Sequence, residues 1–278
     1  MADSEGNVRG GSVASPDGTR ISYLAIGRGP RVLYVHGGLG TGLYWRAGGL
    51  APGQNGVTPH LEDRYESVLM DRRGHGSSDW GHGPHAIERE AEDVLAVLDA
   101  VGPVATVVGH SYGATVTLEA ALQARPETIG RLVLYEPASA ILGPVLPGEG
   151  FATLSEAVAS GAYDDALEVF LTQQGAPDLA ALRASPVWPV LCTLAPTLVP
   201  TVAAVDRVTS IDRYRAVSLP TLLLLGSESA PEQVAAVRAL DEALDDSSIV
   251  ALEGHGHYAI STGPQLVADA IAAFLAAT

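Results

Sequence analysis

The sequence predicts an α/β fold, a mostly parallel β-sheet flanked by helices and interrupted once by a helical insertion. Three observations predict it. Runs of β-branched residues and leucine, each of strand length, alternate with amphipathic helical segments, as expected where crossover helices cover both faces of a sheet. One such run leads into Gly109-His110-Ser111-Tyr112-Gly113, where a strand would turn sharply into a helix. The alternation then breaks between residues 138 and 213, where helical and proline-punctuated apolar sequence replaces it.

In chain order, Met1 to Gly11 is polar and glycine-rich, carries no apolar segment of the kind a secretory signal needs, and is expected to be a flexible terminus. Strands are expected over Arg20–Ile26, Arg31–Val35, Ser67–Met70, Ala105–Val108, Arg131–Tyr135, Thr221–Leu225 and Ser248–Leu252. Helices are expected over His85–Val101, whose alanines and valines recur at three and four residues, and over Tyr112–Ala124, Pro231–Leu244 and Pro264–Ala276. Proline opens the last two, where its missing N–H costs nothing. Within the insertion, Leu154–Ser160 and Tyr163–Gln173 read as helices. The expected organisation is therefore a core of residues 12–137 and 214–278, a helical cap of residues 138–213 and a flexible tail of residues 1–11. A cap in that place would cover the C-terminal edge of the sheet, where open α/β sheets bind ligands. Its Phe151, Phe170, Leu191, Leu194 and Leu198 are expected to give the site an apolar roof.

Composition narrows the function classes. With 47% hydrophobic and 17% charged residues over 278 positions, the chain can bury a large core. A formal net charge of −16 disfavours nucleic acid and acidic membrane surfaces as partners. No run approaches the roughly 18 apolar residues that span a bilayer, so a cytoplasmic protein with a small-molecule substrate is expected. Oligomeric state is not legible. The single cysteine, Cys192, lies in an apolar stretch and is expected to be buried packing.

The residues that carry chemistry are a nucleophile, a base and a pair of donors. In the strand-turn-helix reading, Ser111 sits in a strained turn with its hydroxyl exposed above the sheet edge, and the helix after it aims free N–H groups at whatever Ser111 attacks. A serine hydroxyl needs a base. The best placed is His257 in Leu252-Glu253-Gly254-His255-Gly256-His257, with His255 second, because Gly256 permits the turn that aims the His257 ring. A tetrahedral oxyanion needs two convergent backbone donors, here the N–H groups of Tyr112 and of Gly38 in Tyr34-Val35-His36-Gly37-Gly38. His36 reads as a structural histidine, and the charges of Asp71-Arg72-Arg73-Gly74-His75-Gly76-Ser77-Ser78 as pairs that brace a loop. His82-Gly83-Pro84-His85 reads as a loop rather than a zinc site, no dinucleotide fingerprint opens a helix, and neither metal nor cofactor is expected.

Through His36-Gly37-Gly38, Asp71 to Ser78, Gly109 to Gly113 and Gly254 to His257, in that order, the chain resembles the α/β-hydrolase fold family, in its serine-nucleophile branch with a helical cap. The resemblance implies an eight-stranded, mostly parallel sheet, Ser111 as nucleophile, His257 as base, Gly38 and Tyr112 as oxyanion donors, and a cap after the sixth strand. One departure concerns the acid. The family usually places it at the fourth residue of Gly-x-x-Asp, and here Gly226-Ser227-Glu228-Ser229 ends in serine. Glu136 matches an alternative acid position that resembles the arrangement in haloalkane dehalogenases, and Glu228 stands one residue early in the usual loop. Glu136 is favoured, because Pro137 is expected to hold its backbone extended at the strand end; Glu228 is the alternative acid. Dehalogenation itself needs a carboxylate at the elbow, which Ser111 does not supply.

The expected activity is that of a serine hydrolase cleaving an ester, thioester or lactone of a small, largely apolar substrate through an acyl-enzyme on Ser111. The alternatives are acyl transfer, cyclisation or carbon-carbon bond chemistry in the same pocket, and a non-catalytic ligand binder that has lost its acid.

Overall fold

Leu132, Val133, Leu134 and Tyr135 are all fully buried, yet they serve two different cores. Successive side chains of a strand point to opposite faces. Leu132 and Leu134 therefore join the apolar cluster under one layer of helices, while Val133 and Tyr135 join the cluster on the other face. A strand buried on both sides must be apolar at every position, which explains continuous runs where a half-exposed sheet would alternate. The computed structural model of the protein describes residues 8–49, 55–102, 104–138, 144–176 and 178–277.

Eight strands form one sheet among these residues: β1 (Val8–Ala14), β2 (Arg20–Ile26), β3 (Arg31–Val35), β4 (Glu66–Met70), β5 (Val104–His110), β6 (Ile129–Tyr135), β7 (Thr221–Gly226) and β8 (Ser247–Leu252). Their spatial order is β1-β2-β4-β3-β5-β6-β7-β8. The pairs β1·β2 and β2·β4 are antiparallel and the remainder parallel. Helices α1 (Ile87–Val101), α2 (Tyr112–Gln123) and α8 (Pro231–Ala243) cover one face through Val94, Val97, Leu118 and Leu240. The short α9 (Ala259–Thr262) and α10 (Pro264–Ala276) cover the other with Ile260, Val267 and Ile271.

The expected flexible tail is corrected in part. Residues 1–7 lie outside the described residues, but Val8 to Gly11 belong to edge strand β1, paired with β2 from Val8↔Ile26 to Ala14↔Arg20. Its side chains are mostly exposed, so hydropathy carries no signal, and ladder hydrogen bonds hold it instead. The ring of Tyr23 occupies the space where a side chain at Gly11 would stand.

Between β6 and β7 the chain forms α3 (Glu149–Ser160), α4 (Tyr163–Gln173), α5 (Leu179–Ala184), α6 (Trp188–Leu194) and α7 (Leu198–Val205). They enclose a third apolar cluster with Leu154, Leu167, Trp188, Leu191 and Leu198 inside. The first residues of the expected cap include 139–143, which lie outside the described residues. The prolines punctuate less than expected: Pro189 falls in the first turn of α6 and Pro196 in a 3₁₀ turn, Ala195–Thr197, so the helical path continues. Trp188–Val205 is thereby an 18-residue stretch with mean hydropathy 1.6, long and apolar enough to cross a bilayer, which the sequence reading did not expect; 56% of it is buried inside the fold. Cys192 is half-buried at the margin of this cluster rather than inside it.

Candidate active site

Ser111 joins β5 to α2 with φ 54° and ψ −124°. A non-glycine residue in such a conformation carries about 1–3 kcal/mol of strain. The surroundings leave the elbow no other path. Ser111 N–H donates to the Tyr135 carbonyl at 2.8 Å, and Ala138 N–H donates to the Ser111 carbonyl at 3.2 Å. Both flanking glycines are required by close approach: a Cβ at Gly109 would lie 2.5 Å from Ala114 Cα, and one at Gly113 would lie 2.3 Å from the His36 carbonyl oxygen.

Glu136 follows β6 directly and is 2% exposed. Its Oε2 lies 2.7 Å from Nδ1 of His257, and its Oε1 accepts from Gly226 N–H at 2.8 Å and from the Ser229 hydroxyl. All of these partners except His257 come from the end of β7 and the loop after it. The backbone route differs from the one expected: Glu136 has φ 42°, in the left-handed region, so Pro137 does not hold it extended. Glu136 N–H still donates to the Leu224 carbonyl at 3.2 Å, which fixes the residue to the neighbouring strand.

Glu228 bonds neither histidine through its carboxylate; its N–H donates to the His255 carbonyl at 2.9 Å and its side chain is exposed. His255 pairs its Nδ1 with the Thr262 hydroxyl at 2.8 Å. His257 is therefore the loop histidine with a buried carboxylate. Ser111 Oγ makes no hydrogen bond to the ring here, but the two side chains border the same two cavities.

Two residues missed by sequence reasoning hold the His257 loop. The His110 ring stacks on Tyr44 at 5.8 Å between centroids, and its Nε2–H donates to the His257 carbonyl at 3.0 Å. Burial, then the neighbouring His257, pushes the His110 pKa well below the usual histidine range, so the ring is neutral. The Tyr135 hydroxyl bonds the Gly256 carbonyl and accepts from Ala259 N–H at 3.1 Å. Each stands next to a residue already singled out, His110 before Ser111 and Tyr135 before Glu136, which is the one signal that could have found them.

Gly38 shares a cleft of about 30 Å³ with Ser111, His257 and Phe170. Tyr112 opens α2, with its N–H among the free donors of the first turn. His36 bonds the Gly37 carbonyl through Nδ1 at 2.9 Å and accepts from Arg72 N–H through Nε2 at 3.1 Å, a structural role. The charges after β4 pair as expected, Arg72 with Glu90 and Arg73 with Asp93. His85 of the second histidine pair sits 2.9 Å from Glu90.

A larger cavity of about 940 Å³ opens beside Ser111. The residues expected to form the roof do not form it: Leu191, Leu194 and Leu198 are consumed in the insertion's own core, Phe151 packs against that core, and Phe170 reaches only the small cleft. The end of α4 instead presents Thr172, Gln173 and Gln174, facing Glu228, Glu232 and Gln233 across the cavity, while Pro144, Val145 and Ala236 supply apolar wall. No arginine is among the described residues that line it.

Residues 32–270 match the model of the alpha/beta hydrolase family. The chain belongs to the alpha/beta hydrolase family. Over 229 residues it is 27% identical to 2-(acetamidomethylene)succinate hydrolase of Mesorhizobium japonicum, covering 77% of this chain and 80% of that protein. A local match of 36% identity over 124 residues, 43% of this chain and 46% of the relative, joins it to a pimeloyl-[acyl-carrier protein] methyl ester esterase of Methylococcus capsulatus. Among solved structures, an alpha/beta hydrolase from Sphaerobacter thermophilus superposes with a TM-score of 0.80 at 32% identity, covering 95% of this chain and 99% of that one. These likenesses make this alpha/beta hydrolase a hydrolytic enzyme by family.

Proposed function

We propose that this alpha/beta hydrolase is a serine hydrolase that cleaves an ester, thioester or lactone through an acyl-enzyme on Ser111. The observation that carries the reading is the buried Glu136–His257 pair, 2.7 Å apart, beside a serine held at φ 54° on the rim of a cavity. In this reading His257 takes the Ser111 proton as the hydroxyl attacks the carbonyl carbon. The Gly38 and Tyr112 N–H groups stabilise the resulting oxyanion, and His257 returns the proton to the leaving group. Water then repeats the sequence on the acyl-enzyme. Glu136 fixes the His257 tautomer and stabilises the imidazolium. The helices between β6 and β7 act as a cap that supplies one cavity wall.

The cavity favours a neutral substrate over an anionic one. Glu228 and Glu232 border it without any arginine, so a dicarboxylate such as the one named for the Mesorhizobium relative would meet like charge. The ligand-binder reading rests on a missing acid, and the buried Glu136 carboxylate beside His257 speaks against it.

The test is labelling by a fluorophosphonate with peptide mapping. Wild type is expected to label at Ser111, Ser111→Ala not at all, and His257→Ala about 10³-fold more slowly. Folded wild type that resists the label would overturn the mechanism.

A further inference from the structure

We propose that the buried Arg72–Glu90 ion pair aims the Gly38 N–H and so sets the oxyanion-binding geometry. The inference rests on the reading of Gly38 and Tyr112 as the oxyanion donors. The Arg72 side chain is completely buried and forks onto Glu90, with Nε 2.6 Å from Oε2 and Nη2 3.1 Å from Oε1. Its third direction is spent on the backbone: Nη1 donates to the Gly37 carbonyl at 2.7 Å.

That carbonyl oxygen has a second donor. His36 Nε2 accepts from Arg72 N–H, so its proton is on Nδ1, which donates to Gly37 O at 2.9 Å. The Gly37 carbonyl and the Gly38 N–H belong to one planar trans peptide, in which the two point in opposite directions. Two donors on the oxygen therefore fix the plane. The N–H is left facing away from Arg72, and both Gly37 and Gly38 border the cleft that Ser111 lines. A flip or tilt of this peptide would remove a donor from the cleft and break two buried hydrogen bonds.

The same guanidinium lies 4.3 Å from the centroid of the Tyr112 ring, whose backbone supplies the other donor. Its Nη2 also reaches the Thr201 hydroxyl of α7 at 3.4 Å. One planar fork thus touches the loop after β3, the start of α2 and the insertion, a geometry that suits guanidinium and that a single ammonium cannot reproduce. A buried ion pair is weak ground for stability, since well-packed apolar replacements are often as stable. Arg73–Asp93, at 2.7 Å in the same loop, offers an internal comparison, because it touches neither Gly37 nor Tyr112.

The experiment measures fluorophosphonate labelling, thermal stability, and kcat and KM for p-nitrophenyl acetate in wild type, Arg72→Met/Glu90→Leu, Arg73→Met/Asp93→Leu and Arg72→Lys. The Arg72/Glu90 double variant is expected to lose about 10²-fold in kcat, the scale of one oxyanion donor, with KM within about threefold. The Arg73/Asp93 double variant is expected to shift only the melting temperature. Arg72→Lys, which keeps the charge but not the fork, is expected to recover part of the loss. Should the Arg72/Glu90 double variant fail to fold, Arg72→Lys decides alone, with a fall of about tenfold in kcat at unchanged KM expected. A folded Arg72/Glu90 double variant or Arg72→Lys with wild-type kcat overturns the proposal, as does a loss matched by Arg73/Asp93. Wild type that fails to label at Ser111 overturns the underlying mechanism as well, and that result is read without any variant.

Discussion

The Ser229 hydroxyl donates to Glu136 Oε1, while Glu136 Oε2 pairs with Nδ1 of His257. The position where the family usually carries its acid has thus become a donor to a carboxylate supplied by the neighbouring strand. Strands β6 and β7 pair side by side through Tyr135↔Leu224, so their C-terminal ends offer two places from which a carboxylate reaches the same imidazole.

This exchange predicts a rescue. Glu136→Gln is expected to lower kcat by about 10³–10⁴-fold, as loss of the tautomer-fixing acid does in other triads. Glu136→Ala/Ser229→Asp, which restores a carboxylate from β7, is expected to regain at least tenfold over Glu136→Ala. Glu228→Gln is expected to lose less than about tenfold. Turnover of p-nitrophenyl acetate checks all three, and a Glu228→Gln loss equal to that of Glu136→Gln would refute the assignment.

Legibility in the sequence followed the physics that forms each part. Strands β2 and β3 and helices α4 and α10 match the expected bounds residue for residue, because burial on a two-sided sheet or along a helical face imposes periodic apolar sequence. Strand β1 was missed because an exposed edge strand is held by backbone ladders that impose no hydropathy. The elbow was legible because only glycine tolerates backbone atoms at 2.3–2.5 Å from a Cβ. The cavity lining was not, because which face of α4 meets the core and which meets the site is decided by packing against α3 and α6. Glu136 was found by its resemblance to an alternative acid position at the end of a strand, but it was favoured over Glu228 for a conformational reason that the structure does not bear out: its φ is 42°, not extended.

Gly113 should respond to alanine against helical expectation. It holds the second position of α2, and Gly150 holds the second position of α3. Alanine normally gains up to about 1 kcal/mol over glycine within a helix. A Cβ at Gly113 meets the carbonyl oxygens of His36 and Val35 at 2.3 and 2.5 Å, whereas at Gly150 it meets only a Leu146 methyl at 3.2 Å. Urea unfolding is expected to show Gly113→Ala destabilised by about 2 kcal/mol or more, on the scale of overpacking, and Gly150→Ala near wild type. Equal effects at the two sites would refute the close-approach account.

Substrate charge should matter at the cavity rim. Glu228 and Glu232 are exposed, so their repulsion of an anion is screened and amounts to about 1 kcal/mol or less. A p-nitrophenyl hemisuccinate is therefore expected to show kcat/KM several-fold below that of a neutral ester of equal length. Glu228→Gln/Glu232→Gln should narrow the gap about threefold at low ionic strength and leave it unchanged at 0.5 M salt. A hemisuccinate preference in wild type would overturn the charge argument.

Stability should fall as pH drops below neutrality, and the sign follows from three buried histidines. Burial first, then Arg72, pushes His75 down to about 4; burial also holds His36 and His110 well below the usual range. The unfolded chain protonates these rings near pH 6.5 and the folded chain does not, so the unfolded state binds more protons and each ring costs up to about 1.4 kcal/mol per pH unit. Their stabilisation is complete above pH 6.5 and is lost as pH falls toward 4. Glu119 and Asp93, raised by burial, oppose this, because the folded state takes up their protons first. Glu90, held well below the usual carboxylate range chiefly by the Arg72 charge against its burial, contributes stability that is lost only at more acidic pH. Three rings against two carboxylates leave a net loss between pH 6.5 and 5.5, measurable as a lower urea midpoint. His75→Gln should flatten that slope by about one proton, and a midpoint independent of pH from 7.5 to 5.5 would show that these rings are protonated in the folded protein.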